Sequence, residues 1–254
     1  MMNKKYVIDI AKEKTPEVEV IKKDDWFRHT IVSELKGNNN KGIELGVAIG
    51  IYSKRMLNSD KFNRFYGVDI YGDTHDVDEY KDALKYIGFD DPRYCLLRID
   101  FDSALDMFED NSFDFIYIDG FAHTGEEGGK SLVDWYKKLK VGGILAGDDY
   151  HDDWPLVKWA VNHLAHQLDV AVSITGGKED AAYSAYPTWY IKKESSDDHI
   201  EVDTLLYELG MKEKRRIYRN RVGFHVKYRK FAGKILDIIG IKKYVLNFFH
   251  NYVG

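Results

Sequence analysis

Two apolar runs in this 254-residue chain end in acids. Asp119 closes Phe113-Asp114-Phe115-Ile116-Tyr117-Ile118, and Asp148-Asp149 close Gly142-Gly143-Ile144-Leu145-Ala146-Gly147. If the runs are neighbouring parallel strands, all three carboxylates open on one crevice. Like charges held that close repel, and a hard divalent cation such as Mg²⁺ relieves them while leaving positions for substrate oxygens. The plainer alternative is that Asp148 and Asp149 cap the following turn. His123, just beyond Asp119, adds an imidazole suited to removing a proton at neutral pH. Its alternative is a solvated loop histidine. His163 and His166 fall in a helix-length stretch and read as structural.

A second group lies upstream. Glu44-Leu45-Gly46-Val47-Ala48-Ile49-Gly50 places glycines at a strand-to-helix turn, where the backbone can approach a ligand and the acid can accept hydrogen bonds. Ala48 stands where a dinucleotide fingerprint has its middle glycine, which disfavours a pyrophosphate on the helix N-terminus. A tight turn without ligand is the alternative. Asp69 ends the next apolar run, Phe65 to Ile70, where a carboxylate can hold both hydroxyls of a ribose. Downstream, Asp100 or Asp102 in Asp100-Phe101-Asp102-Ser103 could accept from an adenine amino group, with a solvated loop acid as the alternative for either.

These positions require a particular scaffold. Apolar runs at 42–45, 65–70, 94–99, 113–118 and 142–147, the first three separated by helix-length polar stretches, predict a parallel sheet buried on both faces. A helix is expected over 155–168, followed by an antiparallel pair at 170–175 and 188–191. Upstream, Phe27, Ile31 and Leu35 at four-residue spacing predict a helix over 24–35.

Composition narrows the class. With 44% hydrophobic and 31% charged residues and only four prolines, the chain is expected to fold into a globular domain. Its single cysteine, Cys95, excludes an intramolecular disulfide and a cysteine-built zinc site, and favours a reducing cytoplasm. No apolar stretch is long enough to span a bilayer, and the first residues lack the apolar segment of a signal peptide. The net charge of −5 divides into −15 over residues 1–210 and +10 over 211–254. An acidic body argues against nucleic-acid binding, whereas the basic tail can meet an anionic membrane surface, a second subunit or the body itself. Within it, Phe231, Ile235, Ile238, Val245, Leu246 and Phe249 would form an apolar stripe if helical, interrupted by Gly240 and Lys242.

Taken together, residues 25–192 resemble class I S-adenosylmethionine-dependent methyltransferases, and within them the metal-dependent O-methyltransferases. Residues 44–52 look like the cofactor loop of the catechol-type branch. The stretch Ser112 to Gly120, His123, Asp134-Trp135, Leu139 and Gly142 to Tyr150 is similar to bacterial sugar and small-molecule O-methyltransferases. The resemblance implies an α/β, Rossmann-like fold with a seven-stranded, mostly parallel sheet of order 3-2-1-4-5-7-6. It implies a methyltransferase domain over 1–195 with a helical N-terminal segment, and a basic C-terminal extension over 196–254. Glu44, Gly46 and Gly50 would then line the methionine end of S-adenosylmethionine, Asp69 its ribose and Asp100 its adenine. Asp119 would adjoin the cofactor and, with Asp148 and Asp149, bind Mg²⁺ or Mn²⁺. His123 would be the base, although two residues separate it from Asp119-Gly120 where the family has one, which leaves Asp119 or metal-assisted deprotonation as alternatives. The implied reaction is O-methylation of a sugar or glycan hydroxyl, as in surface-polysaccharide biosynthesis, in the cytoplasm or at the inner membrane surface. A catechol or other natural-product acceptor is the alternative substrate, and a non-catalytic nucleoside-binding module the alternative class.

Overall fold

A computed structural model describes residues 4–72, 75–177, 185–196 and 199–222. Contacts divide the chain into two units, Met1–Met211 and Lys212–Gly254. Among the described residues the first is built on one sheet of eight strands: β1 (Val20–Lys23), β2 (Asn40–Leu45), β3 (Phe62–Val68), β4 (Tyr94–Leu97), β5 (Phe113–Ile118), β6 (Leu139–Gly147), β7 (Val172–Thr175) and β8 (Trp189–Lys192). Across the sheet the order is β1-β7-β8-β6-β5-β2-β3-β4. Every pairing is parallel except those of β8 with β6 and β7.

The expected count of seven strands is therefore corrected to eight, and the expected order is extended by one edge strand. β1 escapes a reading by hydropathy because it is a four-residue edge strand whose Val20 and Ile21 stay exposed beside two lysines. The central strands are buried on both faces. Ile116 and Ile118 pack into one apolar layer, and Phe115 and Tyr117 into the other. This is why β5 reads as a continuous apolar run.

Helices α2 (Ile51–Asn58), α3 (Val77–Ile87) and α4 (Phe101–Leu105) lie along the chain between β2 and β5, after an earlier helix α1 (Lys4–Lys14). The helix predicted over 155–168 is present as Pro155–Leu168, with Pro155 in its first turn. The helix predicted over 24–35 is not. Only Thr30–Glu34 within it forms a short 3₁₀ turn. The backbone of 23–30 closes turns instead, with Trp26 N–H on Lys23 O and Thr30 N–H on Phe27 O, while Gly177 N–H bonds Trp26 O. These bonds pin the segment beside the ends of β7 and β8, and they turn Arg28 inward.

The first unit runs past residue 195 because Leu206 and Leu209 of the last helix, Thr204–Val222, are buried in its core. Of the second unit, residues 212–222 are described. The apolar stripe expected over 231–249, and the basic residues beyond 222, lie outside the described residues. Among the described residues no helix is long and apolar enough to cross a membrane.

Candidate active site

Parallel register decides which residues meet. Leu45 pairs with Val68 on one side and Ile118 on the other, and Ile118 pairs with Gly147. The residues that follow, Gly46, Asp69, Asp119 and Asp148, consequently leave the sheet side by side along its carboxyl edge, where ligands bind in open α/β sheets.

The β2–β3 half of this edge is a backbone loop held by one carboxylate. Asp69, buried, accepts the N–H of Val47 at 3.0 Å and of Ala48 at 3.1 Å on one oxygen, and that of Tyr71 at 3.0 Å on the other. The Tyr71 hydroxyl donates to Ala48 O at 2.6 Å and closes the loop from above. Gly46 has φ +96°, and a Cβ there would stand 1.9 Å from the carbonyl oxygen of Asp119, so glycine is obligatory for loop and β5 end to meet. Ala48, at the substituted middle-glycine position, keeps a left-handed φ of +48°. Gly50 caps α2 with φ +82°.

Glu44 and Asp100 face other partners. The Glu44 carboxyl is buried beneath the loop, takes a short hydrogen bond from the Ser53 hydroxyl, and is pushed up to about 8 by burial. Ser53 links it to the Tyr94 hydroxyl at 3.0 Å. Asp100 caps α4, accepting Ser103 N–H at 2.9 Å and the Ser103 hydroxyl at 2.8 Å, bonds that hold its carboxyl below the usual range. An ionised carboxylate has about four acceptor positions, so Asp69 with three bonds and Asp100 with two each keep room for a ligand hydroxyl or amino group. The open loop, with its strained backbone and the carboxylate beneath it, fits a nucleoside cofactor.

The β5–β6 half is organised by a residue that hydropathy and motif spacing do not single out. Arg28, only 4% exposed, reaches in from the segment before the 3₁₀ turn. Its Nη2 donates to Asp119 Oδ2 at 3.1 Å, to Tyr117 Oη at 2.7 Å and, in a short contact, to Asp148 Oδ2. Its Nε donates to Tyr117 Oη at 3.0 Å. The guanidinium lies over the rings of Tyr52 and Tyr117, at 5.5 and 5.4 Å from their centroids. Asp148 spends its other oxygen on the Thr188 hydroxyl at 3.1 Å. The one signal in the sequence is an arginine set inside an apolar stripe between Phe27 and Ile31.

This donor set does not fit the expected divalent ion. A Mg²⁺ ion needs free carboxylate oxygens at about 2.0–2.1 Å, and the space between Asp119 and Asp148 is spanned by a guanidinium. Among the described residues no group of three or more His, Cys, Asp or Glu is placed to hold a metal. The expected triad Asp119, Asp148 and Asp149 does not form such a group there; Asp119 and Asp148 converge on the Arg28 guanidinium.

Asp149 and Glu126 complete the acidic face. Asp149, half-buried at φ +65°, has its carboxyl pushed up to about 6 by burial and by Asp119, against the pull of Arg28. Glu126 belongs to a turn, Gly125–Gly128, whose residues have positive φ throughout. Its buried carboxylate accepts Phe121 N–H at 3.3 Å and is pushed up to about 8 by burial, with Asp119 and Asp149 adding to the rise. His123 is exposed and sets its ring edge-on to Trp154 at 4.6 Å; Trp154 in turn meets Tyr186 at 6.1 Å, and Tyr186 meets His151 at 4.9 Å.

No curated protein matches the chain. Among solved structures it is similar to spermidine synthase from Thermotoga maritima, at 18% identity over 79% of this chain and 75% of that one, with a TM-score of 0.49. It is also similar to the N-methyltransferase NodS from Bradyrhizobium japonicum, at 16% identity over 66% of this chain and 95% of that one, with a TM-score of 0.48. Likenesses at this level say nothing of substrate. Residues 43–150 match the model of a methyltransferase domain family. That span holds the loop after β2, Asp69, and the acids that end β5 and β6. With this domain at its centre, the chain is an S-adenosylmethionine-dependent methyltransferase.

Proposed function

We propose that the enzyme methylates a hydroxyl oxygen of a sugar or glycan bound over the ends of β5 and β6. The carrying observation is the meeting of the β5 and β6 ends, with Asp119 and Asp148-Asp149, against the Gly46 loop that would hold the cofactor, which sets acidic groups where an acceptor hydroxyl must lie. A hydroxyl needs a proton acceptor to become a nucleophile. The aromatic row of His123, Trp154, Tyr186 and His151 supports a ring-shaped acceptor, offering apolar faces with polar rims.

In this reading the loop 46–50 holds the cofactor, with its ribose on the remaining acceptor position of Asp69, its adenine toward Asp100, and Glu44 supporting the methionine end from beneath. When bound, S-adenosylmethionine supplies a sulfonium methyl group. The chain's own residues orient the acceptor hydroxyl and take its proton. His123 is the proposed base, and Asp149 is the competing acceptor on the strength of its raised proton affinity. The basic residues beyond 211 would bring the enzyme to an anionic membrane surface carrying a lipid-linked glycan.

Transfer of labelled methyl from S-adenosylmethionine to a panel of glycosides, catechols and amines tests the reading. Label on a sugar oxygen is expected, and label confined to an amine or a catechol overturns it. Replacing the true base costs roughly 10²- to 10⁴-fold in turnover with cofactor affinity unchanged, so His123→Ala and Asp149→Asn compared side by side identify it. Asp69→Ala should weaken cofactor binding by about 1.5 to 3 kcal/mol, the range for hydrogen bonds to a charged acceptor, read by calorimetry.

A further inference from the structure

We propose that Arg28 is the resident cation of this carboxylate cluster, and that the site consequently takes no divalent metal. The inference stands apart from the acceptor assignment and holds or fails whatever the enzyme methylates.

Three features carry it. First, the guanidinium bridges the two carboxylates a metal would have to bridge, with Nη2 on both Asp119 Oδ2 and Asp148 Oδ2. A planar fork suits this task because it meets several acceptors at once and stays charged at every physiological pH. Second, the side chain is locked. Tyr117 Oη accepts from both Nε and Nη2, the Tyr52 and Tyr117 rings lie against the guanidinium, and the Tyr52 hydroxyl donates to the Arg28 carbonyl at 3.4 Å. Those two rings are themselves stacked at 4.0 Å, so the walls around the guanidinium are rigid. Third, both oxygens of Asp148 are engaged, Oδ2 by Arg28 and Oδ1 by the Thr188 hydroxyl. A divalent ion entering here would have to displace a buried cation from two aromatic rings and three oxygens, or sit beside it against like-charge repulsion.

The cation also arrives from outside the methyltransferase match at 43–150, on the segment that follows β1. β1 pairs with β7, Gly176 N–H bonds Lys23 O at 2.8 Å, Gly177 N–H bonds Trp26 O at 2.8 Å, and Trp26 stacks on Tyr190. The added edge strand is thus the anchor that delivers Arg28.

Mn²⁺ binding to the full chain, followed by paramagnetic resonance of the free ion, is the test. The wild-type protein is expected to leave Mn²⁺ free at ratios where Arg28→Ala binds one equivalent at least tenfold more tightly, and Asp148→Asn added to Arg28→Ala is expected to abolish the gain. If Arg28→Ala folds only in the presence of Mn²⁺, that rescue is the same result. Stoichiometric Mn²⁺ binding by the wild type overturns the proposal. So does an Arg28→Ala protein that gains no affinity for Mn²⁺, or one that neither folds alone nor is rescued by it.

Discussion

The two halves of the carboxyl edge hold their acids in opposite ways. At β2–β3, Asp69 is neutralised by backbone amides from chain neighbours, Val47 and Ala48 at separations of 22 and 21 residues and Tyr71 at two. At β5–β6, Asp119 and Asp148 share one guanidinium drawn from 91 and 120 residues away. Amide dipoles fix a loop in shape and leave it open to a ligand. A full charge fixes the acids to each other and closes the gap between them. The first half is therefore a cradle and the second a pre-charged wall against which an acceptor can be set.

Arg28→Ala breaks the second half most severely. Removing one partner of a buried ion pair strands the other charge, at a cost of about 3 to 5 kcal/mol, and chemical denaturation should show that loss. A loss under about 1 kcal/mol would mean the pair is not what holds this half together.

Gly46→Ala attacks the first half where it touches the second. A left-handed alanine and a displaced Asp119 carbonyl together cost about 2 to 4 kcal/mol, and cofactor affinity should fall with stability. Retention of both would show that the loop yields and that the 1.9 Å approach is not a constraint.

Glu126 sharpens the contrast through pH. Its folded carboxyl titrates near 8 because burial disfavours the charge, whereas an unfolded glutamate titrates near ~4.3. Between those values the folded chain binds more protons than the unfolded one, so this group's contribution to stability falls as pH rises through the window and is constant above it. Glu126→Gln should therefore match the wild type near pH 4 and exceed it in stability above pH 8. Parallel stability curves for the two proteins would contradict the assignment.

The smallest expected effect is at Ala48. Glycine relieves its left-handed strain but loosens the unfolded chain, for a net change below about 1 kcal/mol. A small stabilisation with unchanged cofactor affinity is expected, and a large loss of affinity would mean the alanine methyl itself contacts the ligand.

Most strands and half of the site are legible in the amino-acid sequence. Hydropathy locates β2 through β8 because strands that pack against helices and neighbouring strands must be apolar along much of their length, and the acids that follow them mark the edge of a ligand crevice. Asp69 and the glycine turn are readable because their partners are close in the chain and their geometry requires particular residue types. β1 is not readable, since an exposed edge strand needs no apolar pattern. Nor is the 3₁₀ turn in place of a helix, because backbone bonds to Gly177, far along the chain, outcompete a local four-residue apolar spacing.

The sequence by itself placed acids after β5 and β6, which meet if those strands are parallel neighbours, as their register makes them. What it could not determine was the charge that balances them. A divalent ion and an arginine both relieve repulsion between carboxylates, and an arginine can do so only where the fold brings a distant segment into place. Only the tertiary structure, by adding β1 beside β7 and setting Arg28 against Tyr52 and Tyr117, brings a guanidinium to Asp119 and Asp148.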